Sequence, residues 1–319
     1  MRLLVYGAGA LGQAIGCMLA AQEHEVHLLL RERFKKVIEQ KGLSVSGIYG
    51  DYHVHGEQLG LHTKLAEIDG NHLDYILLTT KAYDTASSVQ DIATLKDFTG
   101  TVVSMQNGCG NVEQVEQVFG PDRTLGSRVI TGFEIECPGT VRITVSADDV
   151  HIGASQKGTV PPAARELATA IDQAGLPCSC VEDIHKDLFA KLLYNCALNP
   201  LGAVLGVHYG ALAENKESRA IINQVIEETF AVIKAMGKET LWGDAEEYQK
   251  VFYDRLVPMT FDHRPSMLQD IEHHKPTEVE ALVGYVAGKG EELGIATPTC
   301  ATLAGLVRFK EQAAKRNNT

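Results

Sequence analysis

No block of lysine or arginine occurs anywhere in this chain, and its 29 basic residues are outnumbered by 41 acidic ones, for a formal charge of −12. That balance argues against a nucleic-acid surface, which needs a basic patch to meet phosphates. Cysteine is sparse and odd in number, seven residues at 17, 109, 137, 178, 180, 196 and 300. They form neither the even framework of a secreted disulfide scaffold nor paired C-x-x-C zinc spacing, and a reducing cytoplasm suits them best. Low-complexity segments and internal repeats are absent, and 45% hydrophobic against 22% charged residues excludes disorder. One stretch imitates a targeting segment, the apolar residues 3–21 behind Arg2. Gly7, Gly9 and Gly12 weaken it as a hydrophobic helix and have a better use, and nothing downstream reads as a membrane span.

What is present fits two domains in 319 residues. Short apolar runs alternate with helical stretches: RLLVY (2–6), a helix over about 10–22, EVHLLL (25–30), YILLTT (75–80) and TVVSM (101–105). Continuous apolar runs separated by helices are what a parallel sheet buried on both faces requires, so residues 1–182 read as a doubly wound α/β domain of the Rossmann type. FEIECPGTVRITV (133–145) reads as two strands around Pro138-Gly139, followed by VHIGA (150–154), and these antiparallel strands are expected to extend the sheet at one edge. From residue 183 onward the periodicity is helical, over 183–200, 214–236, 243–256, 277–293 and 298–314, with Gly237 and Gly294 as punctuation. Residues 183–319 therefore read as an all-helical second domain whose polar tail KRNNT is expected to fray.

GAGALG, residues Gly7, Ala8, Gly9, Ala10, Leu11 and Gly12, lies directly between the first strand and the first helix. The turn needs its first glycine, the pyrophosphate needs a second without a side chain, and close helix packing needs the third. A dinucleotide is the ligand this expects. At the end of the second strand, where NAD sites carry an acid, LLLRER offers Arg31, with Arg33 two residues on, to pair with the 2′-phosphate of NADP(H); the competing reading makes both arginines solvated loop charges and gives the ribose to Glu32. TTKAYD and MQNGCG place Lys81, and Gln106 with Asn107, just beyond two further strand ends, where parallel sheets hold ligands.

In KLLYNCALNP, Lys191, Asn195 and Asn199 recur every four residues and form one polar column on an otherwise apolar helix. The plain reading is a solvated face, but the other columns are apolar, and buried amides need partners. PSMLQDIEHHKPTEVEAL puts Ser266 and Asp270 one helical turn apart, with Glu278 eight residues later. Surface carboxylates and a helix N-terminal acid are the competing readings there. Neither His273-His274 nor His53 and His55 has the spacing of a metal site, and no metal is expected.

Taken in order over residues 2 to about 305, GAGALG, Arg31, TTKAYD, MQNGCG, KLLYNCALNPLGA, SMLQDIEHHKPTEVEAL and GIATPT resemble the ketopantoate reductases (2-dehydropantoate 2-reductases). The resemblance implies reduction of ketopantoate to (R)-pantoate by NADPH, a step toward pantothenate and coenzyme A, in a Rossmann domain plus an all-helical domain with the active site between them. It implies Lys191 as the catalytic lysine and Glu278 as the acid near it, the substrate and the cofactor. It further implies Asn195, Asn199 and Ser266 as substrate contacts, Asp270 as a supporting residue of that segment, and Asn107 and Lys81 near the nicotinamide end, Asn107 also meeting substrate. Hydride arriving at a carbonyl carbon builds negative charge on oxygen, which a protonated lysine stabilises before giving up its proton. Two alternatives remain open, a reductase of another small 2-oxo acid and a dinucleotide-binding sensor without turnover. A small-molecule substrate is expected, without nucleic acid or membrane, and the long helices leave room for a homodimer.

Overall fold

Along the first strand, β1 (Arg2–Tyr6), Leu3 and Val5 enter one buried layer and Leu4 enters another, so both faces of the strand are covered. Tyr75 and Leu77 against Ile76 and Leu78 repeat that alternation in a later strand of the sheet. These strands belong to a computed structural model that describes residues 1–316 and separates into two units. The first comprises Met1–Asn107 with Asn111–Ile184, and the second Gly108–Gly110 with the chain from His185 onward.

After β1, the first unit carries α1 (Ala10–Ala20), β2 (Glu25–Leu29), α2 (Glu32–Lys41), β3 (Leu43–Gly47), β4 (Tyr52–Val54), β5 (Leu59–His62) and β6 (Tyr75–Leu78). It continues through α3 (Thr85–Ile92), β7 (Thr101–Ser104), α4 (Asn111–Phe119), β8 (Thr124–Arg128), β9 (Thr131–Cys137), β10 (Thr140–Ser146), β11 (Val150–Ala154), α5 (Pro162–Gln173) and β12 (Cys178–Cys180). Eight strands form one sheet in the order β12-β11-β8-β7-β6-β1-β2-β5. Pairing is parallel from β5 to β8, β11 runs antiparallel to β8, and β12 parallel to β11. The winding reverses at β1, which has β2 on one side and β6 on the other, and such reversal points are where open α/β sheets hold ligands.

One expectation needs correction. The hairpin β9–β10 does not extend this sheet but joins a second, four-stranded sheet in the order β4-β3-β10-β9, with β10 parallel to β3. Its apolar side, Val141 and Ile143, packs into the same core as Ile15 and Met18 of α1, so the hairpin is used to cover a helix. Of the strands expected at the main sheet's edge, β11 lies there, antiparallel to β8, with β12 outside it. His53 lies on β4 as expected, whereas His55 precedes a single 3₁₀ turn at Gly56–Gln58.

The second unit is helical: α6 (Ile184–Leu205), α7 (Tyr209–Glu214), α8 (Lys216–Ala235), α9 (Ala245–Val251), a π turn at Phe252–Leu256 leading into α10 (Val257–Met259), α11 (Ser266–Glu272), α12 (Val283–Leu293) and α13 (Pro298–Arg316). Asn215 starts α8 by accepting from the backbone N–H of Glu217 and Ser218, at 2.9 and 3.1 Å. From α8 the buried Glu228 carboxylate accepts from the N–H of Thr299 and Cys300, at 2.9 and 2.8 Å, and caps the start of α13. α6 runs five residues past its expected end at Pro200. A proline removes one helical donor, but Lys310 Nζ takes the carbonyls of Ala203 and Val204, at 2.9 and 2.8 Å, and holds the last turn closed. Among the described residues α6 is the one helix long and apolar enough to cross a membrane, and 78% of its most apolar stretch is buried within the fold, as in a core helix. Of the tail expected to fray, Lys315 and Arg316 continue α13, and residues 317–319 lie outside the described residues.

Candidate active site

The chain leaves β1 through Gly7, whose φ of +91° excludes most side chains and whose added Cβ would sit 2.3 Å from Thr80 Cγ2. A Cβ on Gly12 would meet Thr79 Oγ1 at 2.6 Å and Val5 Cγ1 at 2.8 Å, so this glycine lets α1 lie against the sheet. At Gly9 the nearest atom would be the Gly7 carbonyl oxygen, 3.8 Å away. The middle glycine therefore has open space in front of it, where the other two are crowded by protein. Among the described residues no side chain caps α1, and no acid stands in its first turn, so its leading N–H groups are suited to an anion. Together these fit a dinucleotide pyrophosphate.

Thr79 Oγ1 donates to the Gly7 carbonyl at 3.0 Å, and Gln13 Nε2 to the Ala8 carbonyl at 2.9 Å, fixing the loop from both sides. Arg31 is exposed at the start of α2, and among the described residues its guanidinium binds no protein acceptor. Arg33 instead lies over the Phe34 ring at 4.7 Å, and Glu32 faces Lys36 at 3.7 Å. Of the three charged residues after β2, Arg31 is thus the one whose head group stays available.

Lys81 follows β6 and is exposed, while Asn107, after β7, is half-buried. The two turns are joined by Gln106, whose buried Nε2 lies 2.8 Å from Thr85 Oγ1, 3.1 Å from the Thr80 carbonyl and 3.4 Å from that of Lys81. Ser104 Oγ donates to Gln106 Oε1 at 3.2 Å, and Thr85 Oγ1 donates to Asn111 Oδ1 at 2.8 Å. Asn111 Nδ2 in turn donates to the Asn107 carbonyl at 2.9 Å. This network, in which Ser104, Thr85 and Asn111 escaped sequence reading, fixes the backbone that presents Lys81 and Asn107.

In the second unit, α6 carries Lys191 half-buried and Asn195 and Asn199 buried, at 7% and 4% exposure. Asn199 Nδ2 donates to Asn195 Oδ1 at 3.3 Å, so these two members of the column are in register. Ser266, the first residue of α11, donates through Oγ to Asn199 Oδ1 at 3.5 Å, which brings the segments around 199 and 266 together. Asp270 sits one turn further along α11, half-buried. Glu278 is buried at 8% exposure and begins the single turn Val279–Ala281, whereas Glu280 is exposed and grips Arg308 with both oxygens at 2.7 Å. Tyr209 escaped the sequence reading. It donates to Asn199 Oδ1 at 3.0 Å from α7, and burial, aided by Tyr194, pushes its phenol well above the ordinary range, so it stays a donor. The adjacent histidines bind backbone instead of each other, His273 Nδ1 near the Gln269 carbonyl and His274 Nδ1 near that of Ala314.

The family model described as Ketopantoate reductase PanE/ApbA matches residues 3–157, and Ketopantoate reductase PanE/ApbA C terminal matches residues 183–311. The chain belongs to the ketopantoate reductase family. It is 36% identical over 311 residues to a 2-dehydropantoate 2-reductase of Aquifex aeolicus, covering 98% of this chain and 97% of that one. Among solved structures, the PanE/ApbA family ketopantoate reductase from Ralstonia eutropha JMP134 superposes with a TM-score of 0.86 at 28% identity, over 99% of this chain and 100% of that one. The ternary structure of D-mandelate dehydrogenase with NADH and anilino(oxo)acetate reaches 0.85 at 26% identity, again over 99% and 100%. Membership in the ketopantoate reductase family makes this protein a dinucleotide-dependent oxidoreductase that acts on a CH–OH/C=O group of a small keto acid.

Proposed function

We propose that this protein reduces ketopantoate to (R)-pantoate with NADPH, in the cytoplasm, on the route to pantothenate and coenzyme A. Residues 1–182 hold the dinucleotide, with Gly7 to Gly12 and the start of α1 on the pyrophosphate, Arg31 on the 2′-phosphate, and Lys81 and Asn107 toward the nicotinamide. Bound NADPH supplies the hydride. Residues 183–319 hold the keto acid through Asn195, Asn199 and Ser266, with Asp270 supporting that segment and Asn107 contributing from the first domain. Lys191, in its protonated form, stabilises the negative charge that grows on the carbonyl oxygen and then donates its proton there. Glu278 is the acid assigned to Lys191, the substrate and the cofactor, and a carboxylate near a lysine favours the charged ammonium.

The observation that carries this reading is the column on α6, in which two buried amides, one bonded to the other, continue the line of Lys191 on a core helix. The likeness to D-mandelate dehydrogenase favours a second reading, the same chemistry on another 2-oxo acid. Substitution of Lys191 tests the mechanism common to both. Lys191→Ala should lower kcat on the order of 10²- to 10⁴-fold while NADPH affinity holds. Near-normal turnover in that variant would remove Lys191 from catalysis.

A further inference from the structure

Two carboxamides in sequence can each face either way, and which way they face decides whether a ligand meets N–H or C=O. On α6 that choice is made from outside the helix. Tyr209 Oη donates to Asn199 Oδ1 at 3.0 Å, and Ser266 Oγ donates to the same oxygen at 3.5 Å. A carboxamide oxygen has two lone pairs, and both are thereby used. In this arrangement Asn199 turns its Nδ2 toward Asn195, whose Oδ1 it reaches at 3.3 Å. With its oxygen engaged, Asn195 is left presenting Nδ2–H, which meets no protein acceptor among the described residues although Asn195 is only 7% exposed.

The phenol that starts this chain is firmly seated. Tyr209 is 3% exposed, its ring meets Tyr194 edge-on with centroids 5.8 Å apart, and the His263 ring lies 5.2 Å away on another side. Tyr194 is itself tied to Thr260 by a hydrogen bond. The donor therefore cannot swing away without repacking its surroundings.

We propose that Tyr209 is a positioning residue that sets the direction of the amide column, so that Asn195 offers a fixed N–H to an oxygen of the 2-oxo acid, one helical turn from Lys191. This rests on the keto-acid reading of the site. The oxygen so recognised belongs to a carboxylate, ketone or hydroxyl, and a ligand presenting N–H or a cation at that point is disfavoured because two donors would face each other.

Tyr209→Phe in the full-length protein keeps the ring and removes only the hydroxyl. The expected result is a roughly tenfold rise in KM for ketopantoate, since a directed hydrogen bond of ordinary strength is lost, with kcat changed less and NADPH affinity unchanged. Because Tyr209 acts through Asn195, the same substitution in an Asn195→Ala background should add little further to KM. An unchanged KM, or penalties that simply add, would overturn the proposal, because a purely structural tyrosine moves thermal stability without that coupling. Side-chain amide spectra of ¹⁵N-asparagine-labelled protein provide a readout independent of turnover. Tyr209→Phe should shift the Asn195 and Asn199 NH₂ resonances, assigned by their loss in the alanine variants, and speed their exchange. Unmoved resonances would overturn the positioning role, whereas a wild type that reduces no 2-oxo acid but shows the spectral change would refute the function and leave the positioning intact.

Discussion

Replacing Gly9 and Gly12 by alanine separates ligand binding from folding in a single loop. An alanine at 12 would place its methyl 2.6 Å from Thr79 Oγ1 and 2.8 Å from Val5 Cγ1, both on the packed side of α1. Overpacking of this kind costs about 1–3 kcal/mol, and better helix propensity returns about 1 kcal/mol. The net loss reaches about 2 kcal/mol, which for a domain of this size lowers Tm by roughly 4–8 °C. The same methyl at 9 would meet only the Gly7 carbonyl oxygen at 3.8 Å, an ordinary contact, and the backbone there, φ −76° and ψ −157°, is open to any residue. Gly9→Ala should therefore melt within a few degrees of the wild type, since the expected change stays below about 1 kcal/mol. Its methyl would instead occupy the space assigned to the pyrophosphate, and Kd for NADPH should rise at least about tenfold. Thermal melts without ligand and fluorescence titrations with NADPH read the two quantities separately. Unaltered NADPH binding by Gly9→Ala would refute the placement of the pyrophosphate, and an equal loss of stability in both variants would refute the division of roles.

Two further outcomes follow from buried polar contacts. Gln106→Leu strips partners from Ser104 Oγ, Thr85 Oγ1 and the Thr80 carbonyl, and with unsatisfied buried groups costing about 1–3 kcal/mol it should lower Tm by several degrees and weaken NADPH binding; a melt and affinity matching the wild type would show that this network fixes nothing. His62 is held below its ordinary pKa by burial first and by neighbouring His27 second, its Nε2 lying 3.0 Å from His27 Nδ1. With the folded pKa depressed, the unfolded chain binds the proton first as pH falls through about 6.5, so this stability is present above that pH and lost below it. Melts between about pH 7 and pH 5 should show a steeper decline for the wild type than for His62→Gln, and parallel declines would contradict the assignment.

Much of the molecule was legible because its signals are local. The glycines at 7, 9 and 12 each met the surroundings their spacing implied, two crowded and one open. The helical period carried α6, and with it the shared face of Lys191, Asn195 and Asn199, because a strand would have scattered them. What escaped depends on tertiary partners. β3, β4 and β5 are three to five residues long and rich in serine, glycine and histidine, so their pairing comes from the sheet and not from their own pattern. The destination of the 133–145 hairpin was equally hidden, since its alternation names a buried face without naming what covers it. The turn that carries α6 beyond 200 has its carbonyls at 203 and 204 bound by Lys310, more than a hundred residues away, which no local pattern announces. Tyr209 was unreadable for the same reason, its importance lying in Asn199 and in no motif of its own.

The most direct test is steady-state reduction of ketopantoate by the purified protein, with NADPH and NADH compared and several other 2-oxo acids run beside it. Rapid turnover of ketopantoate that prefers NADPH is expected, with loss of that preference in Arg31→Ala. Turnover of a different acid alone would contradict the substrate, equal use of NADH would contradict the role of Arg31, and binding of NADPH without reduction of any acid would contradict the central claim.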